Sequence, residues 1–268
     1  MLLSPIVQAL TCELAIDECR AAVAAVSPGE FLAARDEVHV WLVRIDGRNR
    51  AGRRFLSPEE CDRADRFRFE RDRQAFTASR TALRVLLGHY TATEPEVVQF
   101  AVGPHGKPHL SPGGRASALR FNLSHSGEYA LIALSNGPAV GTDIERLRTD
   151  VEADGIAERY FLESELAWLR SRPAEARTEA FHRLWVLKEA AIKADGRGLS
   201  MPLVEVRVVF DSRDRGGVES PPWWSSELRI APDYTAALVI CAEEPTLKSV
   251  RRAGIRFQMD QLCPQAGL

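Results

Sequence analysis

Four short segments of this chain hold residue types that act on charged substrates. Asp143 and Glu145 lie two apart in Val140–Glu145, a run with strand character. Residues two apart on a strand share a face, so both carboxylates point one way while Ile144 points into the core. Like charges side by side repel unless a cation sits between them, and hard oxygens favour Mg²⁺ or Mn²⁺. For an Asp-x-Glu alone, solvated acids paired with Arg146 and Arg148 are the simpler reading. Trp185, Glu189 and Lys193 follow at a spacing of four and line one helix face. An exposed Glu–Lys pair of this kind is common and contributes about 0.2–0.5 kcal/mol. The neighbouring Leu184, Ala190, Ala191 and Ile192 point instead to a buried helix, where a charged pair is costly without a ligand.

Two further segments are loops or strand ends. Gly103–Pro108 offers backbone amides and Lys107, a setting for a phosphate or a nucleobase edge. Alone it is weak, because Gly/Pro turns are common. Asn122–Gly127 joins a strand to a turn, and Ser124, His125 and Ser126 could reach an anion. A Ser–His hydrolytic pair is disfavoured, since adjacent residues in an extended segment point opposite ways and no G-x-S-x-G elbow is present.

Elements must position these groups. The segment up to about Pro28 reads as an Ala-rich, loosely attached helix, and Val38–Ile45 as a strand. Ser57-Pro58-Glu59-Glu60 starts a helix, with Ser at the N-cap, Pro at the first position and Glu three residues on. Asp72–Leu87 continues as an amphipathic helix with Phe76, Leu83 and Leu87 near one face. Residues 103–118 read as loop. Strands are expected at Phe121–Leu123, Tyr129–Leu134 and Val140–Glu145, then helices at about 163–171 and 179–195 with a charged loop at 171–178 between them. Further strands are expected near Val204–Phe210, Leu228–Ile230 and Ala236–Cys241, with 212–227 as loop. Arg54–Glu59 recurs in outline as Tyr160–Glu165, and Phe76 has a counterpart in Phe181. Chance similarity of two helix starts is one account; two related α/β halves joined near 136–139 is the better one.

Taken together, the four segments resemble the Sfp-type 4'-phosphopantetheinyl transferases. That family runs G-x-x-G-K-P, [FY]-N-[IL]-S-H-S, G-[IV]-D-[IV]-E and W-x-x-K-E-A-x-x-K-x-x-G-x-G-L. Here these are Gly103–Pro108, Phe121–Ser126, Gly141–Glu145 and Trp185–Leu199, and the resemblance covers about residues 36–245. The departure is Thr142, where the family has Ile or Val; it lies on the face opposite Asp143, so a packing difference is expected.

The resemblance implies an α/β (α+β) fold of two similar halves in pseudo-twofold arrangement, with coenzyme A in the cleft between them. The expected division is an extension at 1–30, a first half at 31–137 and a second at 138–268. It implies Asp143, Glu145 and Glu189 as Mg²⁺ (or Mn²⁺) ligands, and Gly106, Lys107 and Pro108 beside the adenine. Ser124 and His125 would lie near the coenzyme phosphates and Lys193 on the pyrophosphate, with Arg73 and Arg80 as candidates for the 3'-phosphate. Glu189, Lys193, Asp143 and His125 form the expected catalytic set. The partner would be an apo acyl- or peptidyl-carrier protein. A Mg²⁺-dependent nucleotide pyrophosphatase would use the same carboxylates, and a silent binding module would need none of them.

Composition fits a globular enzyme. With 268 residues, 45% hydrophobic and 27% charged, the chain is neither disordered nor fibrous. Its net charge of −2, from 35 basic and 37 acidic residues, gives no sign of a nucleic-acid binder or a membrane surface. The charge-free opening Met1–Cys12 is too short to span a bilayer and lacks a basic start. Five cysteines without a C-x-x-C pair indicate neither a disulfide framework nor a zinc site. A cytoplasmic monomer is expected.

Overall fold

Apolar, β-branched runs form the strands of two main sheets, and the long helices cover them. The computed structural model describes residues 8–12, 28, 38–45, 50–111, 118–149, 152–219 and 223–241. An edge strand β1 (Gln8–Cys12) precedes β2 (Val38–Arg44), α1 (Pro58–Asp65) and α2 (Glu70–Thr91). Two hairpins follow, β3 (Phe100–Val102) with β4 (Pro108–Leu110) and β5 (Leu119–Ser126) with β6 (Tyr129–Asn136). The order then repeats: β7 (Ala139–Arg146), α3 (Ala153–Tyr160), α4 (Glu163–Arg170) and α5 (Arg177–Asp195). Its hairpins are β8 (Val208–Phe210) with β9 (Gly216–Val218) and β10 (Trp223–Leu228) with β11 (Tyr234–Cys241).

The sheets have the strand orders β1-β2-β6-β5 and β10-β11-β7. In each, the opening strand of the half pairs antiparallel with the last strand, so β2–β6 corresponds to β7–β11. Register carries the match to single residues. Arg44 faces Tyr129 as Arg146 faces Tyr234, and the two tyrosine rings meet edge to face at 5.1 Å between centroids. Trp41 faces Ile132 as Asp143 faces Ala237, and Val43 faces Ala130 as Glu145 faces Thr235. The first sheet therefore has buried apolar side chains where the second has carboxylates. Val38, Val40 and Leu42 of β2 share a core cluster with Val140, Ile144, Leu238 and Ile240, which joins the two sheets.

Each half is also pinned by a glutamate near the start of its short helix. Ser57 caps α1 by accepting from Glu60 N at 3.3 Å, and Glu60 Oε2 accepts from Ser57 N at 3.1 Å. That carboxylate also takes Arg84 Nε at 2.6 Å, while Arg84 Nη1 donates to Pro95 O at 2.8 Å and Val98 O at 3.0 Å. In the second half Glu165 Oε2 accepts from Leu162 N at 2.8 Å and pairs with Lys188 at 2.8 Å. Lys188 Nζ in turn donates to Leu203 O at 3.0 Å and Val206 O at 2.5 Å. One buried ion pair thus ties a helix start, a long helix and a turn in each half. Burial pushes the Lys188 ammonium down, against the pull of Glu165.

Several sequence expectations are corrected. Residues 8–12, read as part of a loosely attached helix, form a strand parallel to β2, because its edge offers an unpaired ladder. Residues 13–27 of that expected helix lie outside the described residues. Residues 108–110, read as loop, pair with 100–102. The expected strand at 228–230 lies earlier, at Trp223–Leu228, where Trp224 and Leu228 share one face and join the inter-sheet core. Within the expected loop, 216–218 pairs with 208–210, and within the expected 204–210 strand, Leu203–Glu205 is a 3₁₀ turn. Helix α3 was not expected from its Gly- and Asp-containing sequence; Ala157 buried against the α5 core holds it.

Removing one partner of a buried pair typically costs about 3–5 kcal/mol. Lys188→Met should therefore lower the unfolding free energy measured in urea by about that much, with Glu165→Gln in the same chain restoring part of it. Equal stability of Lys188→Met and the parent would remove this pair from the fold's framework.

Candidate active site

The seam between the sheets runs along β5 and β7, and side chains of β5 bridge it. Asn122 Oδ1 accepts from Thr142 N at 2.9 Å. Ser124 Oγ donates to Asp143 Oδ1 at 2.7 Å. Ser126 Oγ donates to Glu145 Oε2 at 2.9 Å and accepts from Arg146 N at 3.1 Å. Alternate residues of one strand therefore face the other, and two of them accept from its backbone N–H groups.

Helix α5 supplies the remaining groups because Gly141 lets it lie directly on β7. A Cβ at Gly141 would come within 2.0 Å of Ala190 O and 2.2 Å of Ala194 N. That approach brings Lys193 Nζ to 2.5 Å from Asp143 Oδ1 and 3.1 Å from Ser124 Oγ. Asp143 is 2% exposed, and its Oδ2 is buried with no hydrogen-bond partner. Burial pushes the Glu145 carboxyl above its ordinary range, and the charges of Asp143 and Glu189 push it further, against the Ser126 bond and Lys193. Glu189 is raised likewise, by burial first and then by Asp143. The three carboxylates thus sense one another. Desolvation by surrounding protein, then the charge of Lys193, holds His125 below its ordinary value.

Lys107 closes one end of the seam. Its Nζ donates to Val140 O at 3.1 Å and Ala194 O at 3.2 Å, fastening the β3–β4 turn to β7 and to the end of α5. Burial, then the charge of Arg120, pushes this amine down to about 8. The turn's amides are occupied as well, Gly106 N donating to Gly103 O at 3.0 Å and Gly103 N to Lys107 O at 2.9 Å. One turn before Glu189 on α5, Trp185 stacks on Phe181 at 6.1 Å and meets Tyr160 edge-on at 6.5 Å.

Asp143, Ser124 and Lys193 are thus bonded to one another, Glu145 and Glu189 lie close enough to feel the charge of Asp143, and His125, on the other face of β5, feels that of Lys193. The two arginines are engaged elsewhere. Arg80 donates from Nε to Glu60 Oε1 at 3.0 Å and lies over Phe100. Arg73 pairs with Glu70 at 2.6 Å and leaves its buried Nε without a partner. Arg146 pairs with Asp233 at 3.1 Å and not with the seam acids. Thr142 is buried opposite Asp143, its hydroxyl donating to Ala237 O at 2.9 Å. Asn122 and Ser126, unassigned as supports from sequence, carry a period-two polar signal inside an apolar strand that marks them.

Among the described residues, no three His, Cys, Asp or Glu side chains converge into a ready cage for a metal ion. The donor set nevertheless fits a hard divalent cation: three carboxylates, of which Asp143 keeps a buried oxygen without a partner, with the Lys193 ammonium offsetting part of their charge.

Two family models cover both sides of the seam: 4'-phosphopantetheinyl transferase, N-terminal, over residues 49–137, and the 4'-phosphopantetheinyl transferase superfamily over 139–239. The chain is 37% identical to the 4'-phosphopantetheinyl transferase HetI of Nostoc sp., over 77% of this chain and 87% of HetI. The chain belongs to the 4'-phosphopantetheinyl transferase family. Other members are the transferase ffp of Bacillus subtilis, at 30% identity over 71% of this chain and 84% of ffp, and Sfp of the same species, at 29% over the same shares. The transferase motifs fall on the seam described above, on β5, β7, α5 and the β3–β4 turn. No described helix of this transferase is long and apolar enough to cross a membrane.

The seam bonds should be measurable in stability. Leaving a buried N–H unpaired costs about 1–3 kcal/mol, so Asn122→Leu, which strands Thr142 N, should lower the denaturation midpoint accordingly. An unchanged midpoint would show that the seam does not need this bridge.

Proposed function

We propose that this chain transfers 4'-phosphopantetheine from coenzyme A to a serine of apo acyl- or peptidyl-carrier proteins, with Asp143, Glu145 and Glu189 holding Mg²⁺ or Mn²⁺. The products are holo-carrier protein and adenosine 3',5'-bisphosphate. The observation that carries this reading is the buried Asp143 carboxylate, bonded on one oxygen by Ser124 and Lys193 and bare on the other. A cation bound there would neutralise pyrophosphate charge. The serine hydroxyl attacks the pantetheine-side phosphorus, and the bond to the bisphosphate oxygen breaks. In phosphoryl transfer the protein chiefly positions groups and neutralises charge.

Lys193 exchanges Asp143 for the leaving phosphate, its reach set by the close packing of α5 on β7. Glu189, held above the ordinary carboxylate range by burial and by Asp143, accepts the serine proton on a carboxylate oxygen, alongside its role as ligand. Ser124 and His125 border the coenzyme phosphates. Gly106, Lys107 and Pro108 form the adenine edge, with Lys107 acting as its brace. Arg73, with an unpaired Nε, is better placed than Arg80 to take the 3'-phosphate. Both sides of the seam come from one chain, one half at about 31–137 and the other from 138, so a monomer suffices, and we take it to act in the cytoplasm.

The test is intact mass of an apo carrier after incubation with the protein, coenzyme A and Mg²⁺. The reading requires addition of phosphopantetheine; release of adenosine 3',5'-bisphosphate with no adduct would indicate a hydrolase. Asp143→Ala should abolish transfer with the fold retained, and near-parental rates in that variant or in excess chelator would sink the metal assignment. Glu189→Gln separates two roles. Recovery at high Mg²⁺ is expected if ligation dominates, whereas an unrescued loss of about 10²–10⁴-fold marks the base. Arg73→Ala should weaken coenzyme A more than dephospho-coenzyme A, since a charged phosphate contact contributes about 1.5–3 kcal/mol. Equal weakening would move the 3'-phosphate elsewhere.

A further inference from the structure

The turn between α1 and α2 breaks a local rule without a structural return. Phe69 occupies the N-cap of α2 in extended conformation, and no side chain caps that helix. Ser, Thr, Asp or Asn is strongly preferred at this position. Phe69 is moreover 51% exposed and is the one exposed Phe, Tyr or Trp side chain among the described residues. Arg68 and Arg71 lie over its ring at 5.3 and 5.5 Å.

The charge around it is unbalanced. Arg63, Arg66, Arg68 and Arg71 are all exposed. The nearby acids are largely engaged: Asp65 by Arg53 at 2.5 Å, Glu70 by Arg73 at 2.6 Å and Asp72 by Arg71 at 3.4 Å. Glu59 and Asp62, exposed on α1, offset part of the remaining positive charge. Arg63, Arg66 and Arg68 have no ion pair among the described residues. The ridge also reaches toward the active site, since the charge of Asp72, next to Arg71, is felt at His125 on β5. Exposed aromatic and arginine side chains together mark interface centres, and local rules broken without gain mark functional positions.

We propose that the ridge Arg63–Arg71, with Phe69 at its centre, is the docking surface for the apo carrier protein, which presents to it an acidic face around an apolar contact. This rests on the transferase reading above. The arginines draw in the acidic partner and fix its register, and the phenyl ring fills an apolar recess on it. Docking here sets the carrier beside the mouth of the seam, where its serine must arrive.

Steady-state transfer kinetics, with carrier and coenzyme A varied separately, provide the test. Phe69→Ser should raise KM for the carrier about tenfold, the loss of one interface anchor, and leave KM for coenzyme A unchanged. Its denaturation midpoint should hold or rise, because serine is a preferred N-cap. The pair Arg66→Glu and Arg68→Glu should raise carrier KM strongly at low salt and less at high salt, as screening weakens the repulsion. Parental carrier KM in both variants, or a coenzyme A KM that rises in step, would overturn the docking surface. A parent protein that loads no carrier at all would instead overturn the transferase reading.

Discussion

Asp143 sits on β7, where the two sheets meet, with almost no solvent contact, yet pairs with Lys193 as a carboxylate. A buried carboxylate is costly unless it is paired and hydrogen-bonded. The surrounding structure meets that demand from two directions. Ser124 reaches it across the seam from the first half, and Lys193 reaches it from α5 of the second. Both contacts depend on packing that admits little variation. Gly141 must lack a Cβ for α5 to lie where it does, and β5 must run in register with β7 for Ser124 to face Asp143. The arrangement around Asp143 and the joining of the halves are one set of bonds.

Further from the seam, each half keeps its long helix in place with its own buried glutamate. Glu60 with Arg84 and Glu165 with Lys188 connect the same kinds of element, a helix start, a long helix and the carbonyls of a following turn. The two versions differ in strength of design. Arg84 is joined by Arg80 on the same carboxylate, whereas Lys188 stands alone against Glu165, which takes Val208 N at 2.8 Å to complete its bonding. A fork of guanidinium donors and a compact ammonium solve one geometric problem in two ways.

Much of this was legible in the residues. The Ser57 cap, the amphipathic α2 and the face shared by Trp185, Glu189 and Lys193 follow from short-range periodicity, which a single sequence displays directly. The echo between Arg54–Glu59 and Tyr160–Glu165 marked the repeated helix starts for the same reason. What sequence could not display was commitment of side chains across long separations. Arg80 looked available for phosphate and is held by Glu60; Lys107 looked free and is held by two carbonyls. Edge strands such as β1 and β9 were missed because their pairing depends on a neighbour's open ladder and not on their own pattern.

The near-symmetry of the halves has an unequal outcome. Where β7 carries Asp143 and Glu145, β2 carries Trp41 and Val43, both buried, with the Trp41 indole donating to Tyr90 Oη at 3.3 Å. The position that mirrors Asp143 and Glu145 is filled by apolar side chains and sealed beneath α2. The molecule is therefore a dimer in plan and single-sited in operation. On the transferase reading proposed above, it would engage one coenzyme A and one acceptor per chain, so a calorimetric titration would have a stoichiometry of one and turnover would show no cooperativity between the two halves.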